Sequence, residues 1–237
     1  MTNIVPLIIS IIPAIALLIY FYRKDTQKPE PKGMILIAFI LGIISIVPAV
    51  FIELLLGEYE KSLSPWTAIT FKSFVVAAGA EEGIKLLFVI LFLYNRKAFD
   101  EVTDGIIYTV TLSLGFACLE NVLYSIDNLT IAFYRAFTAV PAHAIFSGIM
   151  GFYVGLSKIK PEQKGFLFLK AFLIGVFLHG LYDLIVFGST HILKSVSNEL
   201  YGIIPIVLIG VFVIVGFRFL KKKIKEAKML DTEHKLS

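Results

Sequence analysis

The chain has 237 residues, of which 57% are hydrophobic and only 17% are charged, and its mean hydropathy is +0.84. Soluble domains usually carry about 25% charged residues and are less than half apolar, so this composition excludes an ordinary soluble domain and predicts an integral membrane protein. The net charge of +4 does not indicate a nucleic-acid partner, because the basic residues lie mostly at the ends of apolar segments, and the single Cys118 excludes an internal disulfide.

Seven apolar segments follow one another along the chain, each near the ~20 residues that a bilayer requires. We predict membrane spans at residues 4–22, 34–56, 66–94, 105–125, 130–156, 166–188 and 203–220. Asp104 is expected to cap the fourth span, and the charged tail at 221–237 is expected to extend the last helix. The predicted fold class is therefore all-α, a polytopic transmembrane helical bundle of about seven spans that forms a single domain over residues 1–237.

The basic residues predict the orientation of the bundle. They collect in the first, third and fifth loops and in the tail, whereas the N-terminus and the other loops hold only Lys61 and Lys194. By the positive-inside rule, the N-terminus is outside and the C-terminus is cytoplasmic. Lys72, Lys170 and Arg135 lie near span ends, where we interpret them as side chains that snorkel to the interface.

A few ionisable residues lie deep inside the predicted spans. Each such charge costs roughly 2.5–3.5 kcal/mol at mid-bilayer, so these positions indicate function. They are Glu81, Glu82 and Lys85 on the third span, Glu120 on the fourth, His143 on the fifth, and His179 and Asp183 on the sixth. At ~1.5 Å per residue, the carboxylates and imidazoles on all four helices lie about 20 Å from a span end. The sequence therefore predicts that they meet in one layer.

Helical spacing indicates which faces carry these groups. Residues four positions apart share a face, so His179 lies above Asp183, and Glu81 lies above Lys85. Small residues on the same faces allow helices to pack closely, and we interpret Gly151 and Gly155 as intramolecular packing positions. Adjacent Glu81 and Glu82 differ by about 100°. We expect one to face the cavity and the other to pair with Lys85 or a neighbouring helix.

Two kinds of chemistry suit such a group, and the residues leave both open. Imidazoles with a carboxylate can bind zinc and leave one position for water. Alternatively, a glutamate whose basicity is raised by burial activates water directly, while His or Asn donors stabilise the oxyanion. The sequence has no His-Glu-x-x-His motif and no Gly-x-Ser-x-Gly motif. A purely structural salt-bridge cluster is the remaining interpretation.

Four short stretches together carry a family resemblance. They are Glu81-Glu82-Gly83-Ile84-Lys85, Phe116 with Glu120-Asn121, Pro141-Ala142-His143, and His179-Gly180-Leu181-Tyr182-Asp183. In this order and spacing they resemble the PrsW intramembrane proteases of Gram-positive bacteria, which are distantly similar to CAAX-processing and bacteriocin-processing membrane peptidases. The related CAAX-type enzymes carry His where this chain has Glu120.

The resemblance implies a multi-pass intramembrane endopeptidase of the bacterial cell membrane. Its partners would be the lipid bilayer and a single-pass anti-sigma factor, which it would cut first, on the extracytoplasmic side, in an envelope-stress response. The expected catalytic residues are Glu81, Glu82, Glu120, His143 and His179, supported by Lys85, Asn121 and Asp183. The expected cofactor is zinc or another divalent metal held by His143, His179 and Glu120. Of the two adjacent glutamates, we favour Glu82 as the base.

Two other classes of protein remain open from the sequence. Intramembrane Glu, His and Asp also form the proton relays of transporters, although the chain shows no internal repeat and no pair of matching broken helices. A non-catalytic immunity or adaptor protein that retains the fold is the other alternative. If the protein is a protease that cuts outside the membrane, the cavity is expected to open toward the outer face.

Overall fold

The computed structural model describes residues 4–24, 28–125, 128–195 and 202–236. Within these ranges the fold is all-α, as predicted, and contains no strand. The α-helices of this part of the chain are α1 (Ile4–Tyr22), α2 (Lys32–Glu60), α3 (Pro65–Phe71), α4 (Ala78–Phe88), α5 (Val102–Ser125), α6 (Leu129–Phe137), α7 (Ala139–Ile159), α8 (Lys164–Ser195) and α9 (Ile203–Leu236).

Six segments of the described chain are long and apolar enough to cross a membrane. They are Val5–Tyr22, Lys32–Glu60, Val102–Ser125, Leu129–Ile159, Pro161–Lys194 and Ile203–Leu236. The remaining predicted span, 66–94, falls on α3 and α4, which belong to one helical run that two π-helical segments divide: Lys72–Ala77 and Val89–Leu93. π-Helical turns are rare and often occur at functional sites. Here they flank α4, the helix that carries the adjacent glutamates.

Helices α5 and α7 form the centre of the bundle. Nearly every residue of α5 up to Cys118 is buried, and α7 is buried along most of its length. A Cβ atom on Gly151 would lie 2.3 Å from the Gly105 carbonyl oxygen, and one on Gly155 would lie 2.3 Å from the Val102 carbonyl oxygen. The two backbones are therefore in direct contact, which confirms the predicted intramolecular role of Gly151 and Gly155.

Helix α2 packs against the other side of α5 in the same way. A Cβ atom on Gly42 would lie 1.8 Å from the Leu112 carbonyl oxygen, and one on Gly115 would lie 2.0 Å from the Phe39 carbonyl oxygen. Helix α8 packs on α4 and α7, and α9 lies at the periphery with most of its apolar side chains exposed. Such an outer surface suits contact with lipid.

The fifth predicted span is broken near its outer end. The sequence predicts one span over 130–156, but Thr138 leaves the helical conformation, with φ −120° and ψ −67°, between α6 and α7. Pro141 explains the break, because proline has no N–H to donate to the preceding turn and its ring crowds that turn. The predicted span therefore consists of two separate helices, α6 and α7.

The start of α5 is capped by the end of α9 instead of by Asp104. The Asp231 carboxylate accepts hydrogen bonds from the backbone N–H groups of Val102 (2.6 Å) and Thr103 (3.0 Å). Asp104 accepts instead from the N–H groups of Asp100 and Glu101, which precede the helix. A negative group at a helix N-terminus is favourable, so the tail, which is helical to Leu236 as predicted, also fixes the central helix.

Candidate active site

One ammonium group lies at the centre of a buried polar cluster between α4, α5, α7 and α8. The Nζ atom of Lys85 lies 2.9 Å from Glu81 Oε2, 2.9 Å from Glu82 Oε1 and 3.1 Å from His143 Nδ1. The lysine side chain is completely buried, and its Nζ atom lies 4.1 Å from the centre of the Phe116 ring. Lys85 therefore neutralises carboxylates that would otherwise be costly to bury.

The two adjacent glutamates differ in their surroundings. Glu82 is completely buried, and besides Lys85 it bonds to His179 Nδ1 at 3.0 Å and accepts a hydrogen bond from Ser147 Oγ at 3.3 Å. Glu81 lines a cavity, and its one hydrogen bond within the described residues is to Lys85. The sequence predicts that one glutamate faces the cavity and the other pairs with Lys85 or a neighbouring helix; in the structure Glu81 faces the cavity, but both glutamates pair with Lys85.

A second carboxylate orients each imidazole. Because an ammonium group only donates, Nδ1 of His143 accepts from Lys85, so Nε2 carries the hydrogen and donates to Glu120 Oε2 at 2.8 Å. At His179 both ring nitrogens face carboxylates, with Nδ1 3.0 Å from Glu82 Oε1 and Nε2 3.4 Å from Asp183 Oδ2. A carboxylate on the outer nitrogen is how proteins fix the tautomer and direction of a functional imidazole.

Aromatic packing also holds the histidine rings. Phe146 stacks on His179 with ring centres 5.0 Å apart and an angle of 20° between the planes. The His143 and His179 rings are 5.2 Å apart and nearly perpendicular. Helix α8 runs close beside α4 at this point, since a Cβ atom on Gly175 would lie 3.5 Å from Glu82, in ordinary van der Waals contact.

Arg135 belongs to this network, although its position near a span end predicted a snorkelling side chain. Its Nη2 lies 2.9 Å from Glu120 Oε1, and its Nε donates to Asn121 Oδ1 at 3.0 Å. Asn121 in turn donates to the Ser10 carbonyl oxygen of α1. The signal that the sequence offered was an arginine on the same predicted span as His143, about two turns from it.

The cluster borders a cavity of about 700 Å³, a volume within the ~300–1,000 Å³ typical of ligand sites. Its polar lining includes Glu81, Glu120, His143, His179 and Asp183, and its apolar lining includes Phe133, Tyr134, Phe137, Phe187, Ile206 and Ile209. The apolar walls lie at the end of the bundle where α2 and α5 end and α9 begins. The basic-residue pattern predicts that this end is extracytoplasmic.

Glu53 is a cavity-lining residue that the sequence reasoning missed. It lies on α2 inside the second predicted span, and it has no hydrogen bond or ion pair to any described residue. Glu81 and Glu120 line the same cavity. A lone carboxylate within an apolar span was the signal that could have identified it.

Four residues of the cluster suit a divalent metal ion. Glu81, Glu82, His143 and His179 are all buried, and each has a donor atom within 4.8 Å of those of the others. Zinc takes imidazole nitrogen and carboxylate oxygen at about 2.0–2.2 Å, so this donor set fits, provided that Lys85 gives up some of its contacts. Of the three predicted ligands, His143 and His179 belong to this set, whereas Glu120 lies at the outer nitrogen of the His143 ring.

The fold and the buried groups define an α-helical multi-pass membrane protein with the kinds of side chain that proteins use to activate water. A family model described as "PrsW family intramembrane metalloprotease" matches residues 30–217. The chain belongs to this family of bacterial membrane proteases, as its motifs predict.

Curated relatives agree with this assignment over most of the chain. "Protease PrsW" of Geobacillus kaustophilus is 36% identical over 92% of this chain and 90% of its own length. The protein of the same name in Bacillus subtilis is 34% identical over 94% of this chain and 95% of its own length, and that of Oceanobacillus iheyensis is 39% identical over 76% and 81%. No solved structure matches the chain.

Proposed function

We propose that this protein is an endopeptidase that makes the first cut in a single-pass anti-sigma factor, on the extracytoplasmic side of the membrane, in an envelope-stress response. The observation that carries the proposal is the meeting of Glu81, Glu82, His143 and His179 beside a cavity of about 700 Å³. Membership of a protease family supports the reaction type. The predicted outward position of the cavity supports the side of the cut.

Glu81 is the general base in this proposal, in place of Glu82, which the sequence favoured. Glu81 borders the cavity, and its Oε1 atom is left to accept a proton from water because Lys85 occupies Oε2. Glu82 is completely buried and is held by Lys85, His179 and Ser147. The proton that Glu81 takes is later given to the amine that leaves as the peptide bond breaks.

Fixed positive charge next to the cavity stabilises the oxyanion that forms on the substrate carbonyl. Lys85 supplies a charge that is already in place before the reaction begins, and such preorganisation is the usual source of electrostatic catalysis. His179 lines the cavity and presents its ring to the reacting carbonyl. Glu120 and Asp183 orient the two imidazoles, and Asn121 accepts a hydrogen bond from Arg135, which pairs with Glu120.

Zinc or another divalent ion is the proposed cofactor. Glu82, His143 and His179 would hold it, since three protein ligands are usual at catalytic zinc sites, and Glu81 would remain free as the base. When bound, such an ion lowers the pKa of its water and polarises the carbonyl. Lys85 would move toward Glu81, which keeps its charge paired.

The apolar walls of the cavity suit a substrate segment at the membrane boundary. Aromatic and aliphatic side chains from α6, α8 and α9 line the approach to the polar groups. A peptide bond reaches the base only if the segment leaves its helical hydrogen bonds, because helical carbonyls are already engaged. We therefore expect the cut to lie at an end of the substrate's membrane helix.

Incubation of the purified, reconstituted protein with a single-pass anti-sigma factor tests this proposal. One reaction contains the protein as purified, a second contains a chelator, and a third contains the chelator followed by excess zinc. We expect a discrete product in the first and third reactions and little in the second. Equal cleavage in all three would remove the metal from the proposal, and no cleavage in any would reject the proposed substrate.

A further inference from the structure

The guanidinium group of Arg135 joins α6 to two consecutive residues of α5. Its Nη2 lies 2.9 Å from Glu120 Oε1, and its Nε donates to Asn121 Oδ1 at 3.0 Å. The guanidinium carbon lies 4.4 Å from the centre of the Tyr124 ring, and only 20% of the arginine side chain is exposed. A side chain held at three points on one helix is not a snorkelling arginine.

The contact with Glu120 leads directly to a histidine of the candidate active site. While Arg135 binds one oxygen of the carboxylate, the other oxygen accepts the hydrogen bond from His143 Nε2 at 2.8 Å. The orientation of the imidazole ring therefore depends on a carboxylate that the arginine holds in place. With Nε2 engaged in this way, Nδ1 faces Lys85 and the two adjacent glutamates.

We propose that Arg135 is a positioning residue for the reaction, acting through Glu120 to hold the His143 ring with Nδ1 toward the catalytic group. This inference rests on the proposed protease function. The planar fork of arginine suits the role because it binds a carboxylate and an amide oxygen at once, whereas a lysine is a single point charge. A carboxylate without Arg135 would keep only its bond to His143 and could rotate.

Arg135 lies on α6, so its ion pair with Glu120 also fixes the position of this short helix. Phe133, Tyr134 and Phe137 of the same short helix line the cavity. Asn128 caps the start of α6, and the break at Thr138 separates the helix from α7. Through its ion pair with Glu120, Arg135 therefore connects α6, which forms one wall of the cavity, to the polar groups that line the cavity.

Kinetics of purified variants test the inference, with Arg135→Gln and Arg135→Lys compared with the unchanged protein. The matched control is Arg96→Gln, which replaces an exposed arginine whose Nε donates to the Phe92 carbonyl oxygen. We expect Arg135→Gln to lower kcat by about 10–100-fold, the usual effect of losing a group that orients a site histidine. KM is expected to change by less than about threefold, because the arginine does not bind substrate. Arg135→Lys should retain an intermediate kcat, and Arg96→Gln should behave like the unchanged protein.

Chemical rescue separates positioning from a general loss of structure. Methylguanidinium added to Arg135→Ala is expected to restore part of kcat, and it should not restore Glu120→Gln, which lacks the carboxylate that the cation binds. A kcat of Arg135→Gln equal to that of the unchanged protein would overturn the inference. So would a loss of kcat that simply follows a loss of folded protein in a thermal unfolding assay.

A spectroscopic measurement keeps the inference testable without turnover. Nitrogen NMR of histidine-labelled protein, with the His143 signal assigned from a His143→Gln sample, reports which ring nitrogen carries the hydrogen. We expect the Nε2–H form in both proteins, because Lys85 donates to Nδ1, and a shifted Nε2 signal in Arg135→Gln, because the hydrogen bond to Glu120 is then no longer held in place. An unchanged His143 signal would reject the role of Arg135 even if the protein cleaves no substrate, whereas absence of cleavage with the expected NMR change would reject only the protease function.

Discussion

The buried network has more carboxylates than lysine and arginine side chains to neutralise them. Its carboxylates with a hydrogen bond or an ion pair are Glu81, Glu82, Glu120 and Asp183, and its fixed cations are Lys85 and Arg135. Four negative groups against two positive ones leave a deficit of two charges in a region of low dielectric constant, where unpaired charge is costly. Protons on the imidazoles or carboxyls can supply this charge, and so can one divalent ion. The composition of the site therefore suits reversible loading with a metal ion.

The different surroundings of the adjacent glutamates predict different effects on stability. Glu82→Gln removes the charge that faces both Lys85 and His179, and breaking a buried ion pair costs about 3–5 kcal/mol. Glu81→Gln removes one contact of Lys85 at the cavity surface. For a chain of this size we expect the unfolding midpoint of Glu82→Gln to fall by about 6–20 °C, and that of Glu81→Gln to fall by clearly less. Thermal unfolding in detergent measures both, and equal shifts would contradict the assigned surroundings.

Replacement of Glu53 is expected to change the unfolding midpoint in the opposite direction. Glu53 has no hydrogen bond or ion pair among the described residues and lines the same cavity as Glu81 and Glu120, which destabilises the fold. Glu53→Gln is therefore expected to raise the unfolding midpoint by about 2–4 °C, or about 1 kcal/mol at this chain length. The control is Glu58→Gln, at an exposed ion pair whose loss should change stability little. A lower midpoint for Glu53→Gln would show that the carboxylate has a stabilising partner.

At the scale of the helices, the sequence predicts local geometry well and breaks in the helix poorly. Glu81 and Lys85 share a face because α4 is a regular α-helix across them, and their hydrogen bond follows from that spacing. The π-helical segments on either side of α4 change the register along the longer run, and no residue pattern in the span predicted them. The break at Thr138 had a visible signal in Pro141, but the apolar run through it favoured one continuous span.

The glycine contacts of α5 predict how the site depends on helix packing. Gly42→Ala would place a Cβ atom 1.8 Å from the Leu112 carbonyl oxygen, a backbone atom that cannot yield without moving the helix. Overpacking of this kind costs typically about 1–3 kcal/mol and sometimes more. We expect a lower unfolding midpoint, together with loss of cleavage, because α5 carries Glu120.

The matched control for this substitution is Gly57→Ala on the same helix, where a Cβ atom would meet nothing within 4 Å. It should leave cleavage unchanged and should not lower the unfolding midpoint, because alanine is the better helix former. If both variants were equally stable and active, the close approach of α2 to α5 would be wrong.

For the whole molecule, the sequence predicted the meeting of the polar groups but not their pairing. Depth along each span was enough to place the carboxylates and imidazoles of four helices in one layer. Which atoms meet depends on the rotation of helices that are far apart in the chain: Glu82 and His179 are separated by 97 positions, and Lys85 and His143 by 58. Arg135 and Glu53 were misjudged or missed for this reason, because both lie on helices whose orientation the packing of the bundle sets.

The cleavage activity of Glu81→Gln tests most directly whether this buried group is the active site of a protease. Purified, reconstituted Glu81→Gln is compared with the unchanged protein and with Glu58→Gln on one single-pass membrane substrate, and the product is quantified by mass spectrometry. We expect Glu81→Gln to be folded and to yield at least about 100-fold less product, because the amide cannot accept a proton from water. Glu58→Gln is expected to cleave normally. Cleavage by Glu81→Gln at the rate of the unchanged protein would show that the chemistry, if any, takes place elsewhere in the molecule.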